Sequence, residues 1–280
     1  MDTVTTSTSI RDWLDESSCV LVPTMGALHE GHLSLVECGR KAAARLGCPL
    51  VVSVFVNPDQ FNDPSDLDAY PRPLAEDLRA LEAHGVDVAF VPSVEAMYPE
   101  DEPGAAPQPE VPAVGRLPGL EDRFRPGHFP GVCRVVSRLF DLCRPAEAVF
   151  GEKDWQQAQV VTAMCREQQR DIRILVAPTV RESDGLAMSS RNQHLSREAR
   201  ARAAAIWRGF DAARLESAIS KAEAVIGEHM ESAGFAVEYA SIRDESTLMV
   251  ANETSTGPLR MLAAGVLEGV RLLDNAPWPA

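Results

Sequence analysis

The chain has 280 residues, 45% hydrophobic and 24% charged, as expected of a soluble globular protein with room for one large domain or two ordinary ones. Its formal net charge of −14 argues against the broad basic surface needed to bind a nucleic-acid backbone, so an anionic small molecule must meet locally gathered positive charge. No apolar run approaches the ~20 residues of a membrane span, and the polar start, Met1 to Asp12, lacks a signal core, which predicts a cytoplasmic protein.

The first strong element is Cys19-Val20-Leu21-Val22, an apolar run that reads as a buried strand. Leu33–Leu46 then repeats apolar residues near helical spacing. Between them lies Pro23-Thr24-Met25-Gly26-Ala27-Leu28-His29-Glu30-Gly31-His32. Two histidines three residues apart at a helix start project to one side of its first turn. There the exposed amides and the positive end of the helix dipole favour phosphate. The spacing is not the His-Glu-x-x-His of zinc proteases, and the chain has no P-loop. Strand, glycine turn and paired histidines therefore point to a nucleotide site of the adenylyl-transfer kind.

A second strand, Leu50–Val56, leads to Asn57-Pro58-Asp59-Gln60-Phe61-Asn62, whose amides suit a small oxygen-rich substrate. Helix Leu74–His84 and strand Val86–Val91 follow. Between Pro99 and Pro118 lie six of the chain's 20 prolines with little periodicity, which predicts a long loop. Next come helix Gly131–Leu142, strand Ala148–Phe150, helix Trp155–Gln169 and strand Ile172–Ala177. Lysine and arginine together number 27, yet lysine occurs only at Lys41, Lys153 and Lys221. Keeping a lysine in Gly151-Glu152-Lys153-Asp154 suits a compact point charge on phosphate. With a helix starting near Asp154, Lys153 lies at its mouth and Gln157 one turn onward in the same crevice.

Strands alternating with helices predict a doubly wound parallel sheet, α/β and Rossmann-like, with ligands beyond the carboxyl ends of its strands. Thr24-Met25, Asn57-Pro58 and Gly151-Glu152-Lys153 all fall there. After Thr179 the character changes, which predicts a first domain over 1–179 and a smaller α+β domain over 180–280. Its elements are helices Arg197–Ala213 and Glu216–Ala233 and strands Tyr239–Ile242, Leu248–Val250 and Leu259–Ala263, the last leading into Arg271-Leu272-Leu273-Asp274. Met188-Ser189-Ser190-Arg191 sets two hydroxyls beside a guanidinium, a cradle for a polyphosphate. Six cysteines show no metal spacing and read mostly as reduced core residues.

These residues carry a resemblance to the pantoate–β-alanine ligase family, of the nucleotidylyl-transferase superfamily that includes class I aminoacyl-tRNA synthetases. The matching stretches are Pro23 to His32, Val54-Phe55-Val56-Asn57-Pro58-Asp59-Gln60-Phe61, Tyr70-Pro71-Arg72, Arg125-Pro126-Gly127-His128-Phe129, Phe150 to Asp154, and Asp184 to Asn192. The last third matches mainly by Ile242-Arg243-Asp244 and Leu272-Leu273-Asp274-Asn275. The resemblance implies a two-step reaction. The carboxylate of (R)-pantoate attacks the α-phosphate of Mg-ATP, and the amine of β-alanine then attacks pantoyl-adenylate, giving pantothenate and AMP. It implies that Met25, Gly26, Ala27, Leu28, His29, Glu30, Gly31 and His32 bind ATP, with His32 as proton donor during adenylation. Gly151, Glu152, Lys153, Asp154, Val180, Met188, Ser189, Ser190 and Arg191 would complete the ATP site, and Gln60 and Gln157 would hold pantoate. Gln60 would take β-alanine too. Charge developing on phosphate makes His29, His32, Lys153, Ser189, Ser190 and Arg191 the expected catalytic donors. Mg2+ is expected with ATP, its ligands left open, Asp77 being a candidate for an indirect contact. A homodimer is expected from the family's habit.

Two positions depart from that pattern. Where Pro130 and Arg134 stand, family members more often have a polar or charged residue and a small hydroxyl residue respectively. Arg134 could intrude on the cleft, pair with an acid or point to solvent. The rival readings are a transferase of the same superfamily with another acceptor and a catalytically inactive nucleotide-binding regulator. Gln60 and Gln157 speak against the first, and the retention of His29, His32, Lys153 and Ser189 against the second.

Overall fold

The computed structural model describes residues 1–61, 67–68, 70–99, 108–252 and 254–279. Asn62 of the amide-rich turn and residues 100–107 of the proline-rich segment lie outside them. Six strands form one parallel sheet in the order β1-β4-β3-β2-β5-β6. They are β1 Asp2–Val4, β2 Cys19–Thr24, β3 Leu50–Val54, β4 Val88–Phe90, β5 Pro145–Gly151 and β6 Arg173–Ala177. Around it run α1 Ser7–Leu14, α2 Glu30–Leu46, α3 Leu74–Ala83, the single turns α4 Val94–Met97 and α5 Glu121–Phe124, α6 His128–Cys143 and α7 Trp155–Glu167.

Successive residues of the inner strands feed opposite cores. Cys19, Leu21, Val51, Ala148 and Phe150 meet Phe129 and Phe140 of α6 and Val160 of α7. Val20, Val22, Leu50, Val52 and Val149 meet Val36 of α2 and Leu81 of α3. Both faces of the sheet are covered, so these strands read as unbroken apolar runs rather than alternating ones. The expected doubly wound α/β architecture is the one observed.

The sheet also explains where a ligand can sit. β2 pairs with β3 up to Thr24↔Val54, but with β5 only up to Leu21↔Ala148. β5 continues to Gly151, so β2 and β5 part at their carboxyl ends. The strand order reverses at the same place, with β3 and β4 on one side of β2 and β5 and β6 on the other. Such a split is the ligand crevice of doubly wound sheets.

β1 and α1 go beyond the elements expected from the sequence. β1 is a three-residue edge strand paired with β4, too short and polar to show a pattern. α1 buries only Ile10 and Leu14 and is fixed by a capping box between Thr6 and Ser9. α6 begins at His128 rather than at the expected Gly131. Pro130 therefore lies in its first turn, where a missing N–H has no intrahelical partner to lose.

Beyond Ala177 the chain forms a second, antiparallel sheet, β7 Ala236–Asp244, β8 Leu259–Leu267 and β9 Val270–Trp278, in the order β7-β8-β9. Against it pack α8 Arg197–Ala203, α9 Ala205–Ala213 and α10 Ile219–Ser232. Ala199, Ile206, Phe210, Ile226 and Met230 meet Ile242, Met261, Ala263 and Leu272 in its core. Leu262 instead joins the core of the larger sheet, so the small sheet docks there by its other face. The strand expected at Leu248–Val250 is reduced to one isolated antiparallel bridge, Arg243↔Val250, after a turn at 245–247. Leu248 is buried at φ 58°, while Met249 and Val250 are 48% and 69% exposed. One buried leucine beside two exposed apolar residues gives too little burial to extend that bridge into a strand. No helix among the described residues is long and apolar enough to cross a membrane, and all six cysteines are free.

Candidate active site

The turn after β2 is held by α3. Gly26 and Ala27 have φ of 77° and 50°. Buried Asp77 accepts the Ala27 N–H at 2.9 Å on one carboxylate oxygen and the Leu28 N–H at 2.8 Å on the other. A Cβ at Gly26 would lie 2.9 Å from Asp77 Oδ2, so both the backbone and the carboxylate require glycine there. Asp77 thus anchors the turn with both oxygens.

His29 is the N-cap of α2. Its Nδ1 accepts the Gly31 N–H at 3.1 Å, and His32 Nδ1 accepts the His29 N–H at 3.4 Å. The two rings lie 4.1 Å apart, centroid to centroid. Because each Nδ1 is an acceptor, the proton of each neutral ring resides on Nε2. Burial first, and His29 beside it, push His32 down to about 3. Burial and then Lys153 lower His29 as well. Both rings are uncharged at neutral pH. The amides expected to meet an anion are in large part already used within the turn, by the histidines and by Asp77. What the histidines offer a ligand is their Nε2–H groups.

The opposite wall is the turn after β5. Glu152–Asp154 form one helical turn before α7, and Lys153 Nζ lies 3.5 Å from Asp154 Oδ1. Glu152 accepts the Thr179 N–H at 3.1 Å and pairs with Arg260 of β8 at 3.2 Å. Arg260 also pairs with Glu245 at 2.6 Å and lies 3.6 Å over the Trp155 ring. Asn275 of β9 donates to the Glu152 and Lys153 carbonyls at 2.9 and 2.8 Å. Nearby, the Met188 N–H bonds the Val180 carbonyl at 3.0 Å, and Ser189 caps the short turn Ser190–His194.

The third wall is the turn Pro58–Gln60 after β3, pressed against α6. Asn57 Nδ2 donates to the Gly131 carbonyl at 3.1 Å, and a Cβ at Gly131 would sit 2.2 Å from the Asp59 carbonyl oxygen. The Gln60 carbonyl receives Arg125 and His128 Nδ1, each at 3.3 Å. His128 Nε2 lies 3.1 Å from the Arg125 guanidinium, which can only donate, so this ring has the opposite tautomer, Nδ1–H. Burial, then Arg125, push His128 down to about 3. Of the three fates open to Arg134, pairing is the one observed. It meets Asp59 at 2.5 Å, lies 3.9 Å over the Tyr98 ring and does not line the cavity.

A cavity of about 240 Å³ joins the three turns. It is lined by Met25, His29, Gly31, His32, Gln60, Gly151, Glu152, Lys153, Asp154, Gln157, Val180, Met188, Ser189, Ser190 and Arg191. Gly26, Ala27, Leu28 and Glu30 do not line it and shape the turn instead. Tyr70, Glu121, Arg125, His128 and Asn275 line it without having been assigned roles from the sequence. Glu121 pairs with Arg271 at 2.6 Å and accepts the Tyr239 hydroxyl at 2.7 Å. Burial raises its carboxyl, but Arg271, Tyr239 and Arg125 outweigh that and hold it below the usual range. Asp274 pairs with Arg181 at 2.5 Å, and Glu152 with Arg260 at 3.2 Å. With these acids matched by arginines, Lys153, Arg125 and Arg191 bring cations to the cavity of a chain with net charge −14. Among the described residues no three His, Cys, Asp or Glu side chains cluster to hold a metal ion.

The pantoate–β-alanine ligase family model matches residues 2–277. The chain is 47% identical to pantothenate synthetase 2 of Bradyrhizobium diazoefficiens over 93% of its own length and 90% of that protein's. It is 45% identical to the pantothenate synthetase of Cereibacter sphaeroides, over 96% and 95%. The crystal structure of pantothenate synthetase from Thermus thermophilus superposes with a TM-score of 0.91 at 40% identity, covering 100% of both chains. A Francisella tularensis pantoate–β-alanine ligase complexed with β-γ ATP and β-alanine superposes at 0.78 with 29% identity, over 99% and 97%. The chain belongs to the pantoate–β-alanine ligase family.

Proposed function

We propose that this member of the pantoate–β-alanine ligase family uses ATP to condense (R)-pantoate with β-alanine, through pantoyl-adenylate, in the cavity where the three turns meet. The observation that carries this reading is one cavity lined by His29, His32, Lys153, Ser189, Ser190 and Arg191 together with Gln60 and Gln157. The first set suits a triphosphate, the second a small polar acid. The ATP and β-alanine complex of the Francisella relative supports the same assignment.

In the first step a pantoate carboxylate oxygen bonds to the α-phosphorus as the bond to the pyrophosphate oxygen breaks. The carboxylate is already ionised at neutral pH, so no base is needed. Negative charge grows on the α-phosphoryl oxygens and the departing pyrophosphate. Lys153, Ser189, Ser190 and Arg191 would meet it, with Met25, Gly31, Glu152, Asp154, Val180 and Met188 shaping the nucleotide's bed. His32, uncharged through burial, acts as a hydrogen-bond donor through Nε2–H rather than as an acid, with His29 beside it. In the second step the β-alanine amine attacks the acyl carbon, the bond to the phosphate oxygen breaks, AMP leaves and the amine loses a proton to water. Gln60 and Gln157 would hold pantoate through both steps, Gln60 meeting β-alanine as well. Mg2+ would arrive on the phosphates of ATP, as is usual for this ion, and would neutralise part of their charge. Residues 180–280 form the lid domain of this reading, excluding water from the adenylate over the bed built by residues 1–179. A cytoplasmic homodimer completes the proposal.

Purified protein with ATP, Mg2+ and pantoate, assayed with and without β-alanine, tests it. Steady AMP release dependent on both acids, with pantothenate formed in step, is the expected result. ATP binding without turnover would overturn the reading in favour of a nucleotide-binding regulator.

A further inference from the structure

We propose that Asn275 is a positioning residue for Lys153, setting the ammonium's place in the cavity from the docked C-terminal sheet. This rests on the reading of Lys153 as the lysine that meets the α-phosphate. Asn275 lies on β9 and is 3% exposed. Its Nδ2 donates to the carbonyls of Glu152 and Lys153 at 2.9 and 2.8 Å, and its Oδ1 accepts from Arg260 at 2.5 Å. Its main-chain N–H bonds Asp274 Oδ1 at 2.8 Å, and its carbonyl accepts from Arg181 at 3.2 Å. Carbonyls only accept and a guanidinium only donates, so the partners fix the amide's orientation. All of its hydrogen-bonding groups are engaged.

The turn it grips has little else to fix the lysine. The Lys153 ammonium is 3.5 Å from Asp154, a partner on the same short turn that moves with it. The Glu152 and Lys153 carbonyls precede α7 and are tied to a different sheet instead. Arg260, stacked on Trp155 and paired with Glu152 and Glu245, holds the Asn275 side-chain oxygen in turn. A shift of the small sheet therefore moves the Lys153 backbone directly. Misplacing a group that meets developing charge by about 1 Å costs up to ~100-fold in rate.

The test is a double-mutant cycle between Asn275 and Lys153. Asn275→Asp keeps the shape and the Arg260 contact but turns an oxygen toward two carbonyls. Asn275→Ala removes both donors without adding charge. Each is expected to lower kcat by about 10- to 100-fold, with the KM for pantoate and for β-alanine within about twofold of wild type. In a Lys153→Ala background the same changes should cost less than about twofold, because the group they position is gone. Losses that multiply in full in that background, or an unchanged kcat in the folded single variants, would overturn the inference while leaving the functional reading intact. Wild-type protein that binds ATP but makes no pantothenate would instead sink that reading, and with it the role given to Lys153.

Discussion

The histidine wall of the cavity is braced within its own layer. Asp77 of the neighbouring α3 holds the Ala27 and Leu28 amides, and the two rings cap their own helix. The lysine wall is braced from outside. Asn275 and Arg260, on the small antiparallel sheet, hold the Glu152 and Lys153 carbonyls and the Glu152 carboxylate. The first arrangement is set once the large sheet forms. The second requires the small sheet to be docked, so the two walls draw their braces from different sheets. Under the proposed chemistry, adenylation would then be favoured only in a cavity already covered against water.

The strongest test of that contrast removes one donor from each wall. His32→Ala and Lys153→Ala should each lower the rate of pyrophosphate release by ~10²–10³, with thermal unfolding close to wild type. A wild-type rate in either folded variant would remove that wall from the chemistry. The contrast sharpens when each is combined with Asn275→Ala. The His32 and Asn275 losses should multiply, since they act on separate walls, whereas those of Lys153 and Asn275 should not.

Asp77→Asn probes the inner brace. An asparagine can accept only one of the two turn amides and must set its own N–H against the other. Losing a charge-assisted hydrogen bond of this kind should cost ~1.5–3 kcal/mol, read as a lower urea midpoint. An unchanged midpoint would mean that the turn stands without Asp77.

Histidine chemistry separates the walls again, more gently. Nitrogen-15 spectra should show His29 and His32 as Nε2–H rings and His128 as Nδ1–H, uncharged at pH 7. His128 has a folded value near 3 against an ordinary 6.5, so between those limits the unfolded chain binds the extra proton. Stability therefore falls as pH drops below about 6.5, by ~2 kcal/mol at pH 5 from this ring alone. His128→Gln should shrink the difference in unfolding free energy between pH 7.5 and 5 by about that amount. If the difference is unchanged, His128 titrates normally and the ring is not held neutral by burial and Arg125.

The same contrast explains what could be read in the chain. Apart from Asp77, the histidine wall is a local event: the glycine turn and the two histidine caps fall within Gly26–His32, next to a strand whose two buried faces leave an unbroken apolar run. Lys153 stood out because lysine is so scarce here. The groups that hold it did not. Asn275 meets carbonyls 122 and 123 positions away, and Glu121 meets Arg271 across 150 positions. No spacing rule reaches that far. The capping of the histidine turn was hidden for a related reason, since an imidazole acting as its own helix cap leaves no mark that separates it from a ligand-binding imidazole. β1 was missed because three edge residues, two of them polar, are too few to carry a period.

Arg134 marks the weak end of this series, because the turn it grips is already held without it. Its pair with Asp59 is part exposed, with side chains 41% and 37% accessible, so it is worth ~0.2–1 kcal/mol. Stacking on Tyr98 adds ~0.5–1 kcal/mol. The Gln60 turn is meanwhile fixed by Asn57 on the Gly131 carbonyl and by Arg125 and His128 on the Gln60 carbonyl. Arg134→Ala should thus lower stability by ~1 kcal/mol and leave the KM for pantoate within about twofold. A tenfold rise in that KM without a change in kcat would mean that the pair sets the Gln60 amide itself. The third wall would then depend on a brace that does not itself line the cavity, as the histidine wall depends on Asp77.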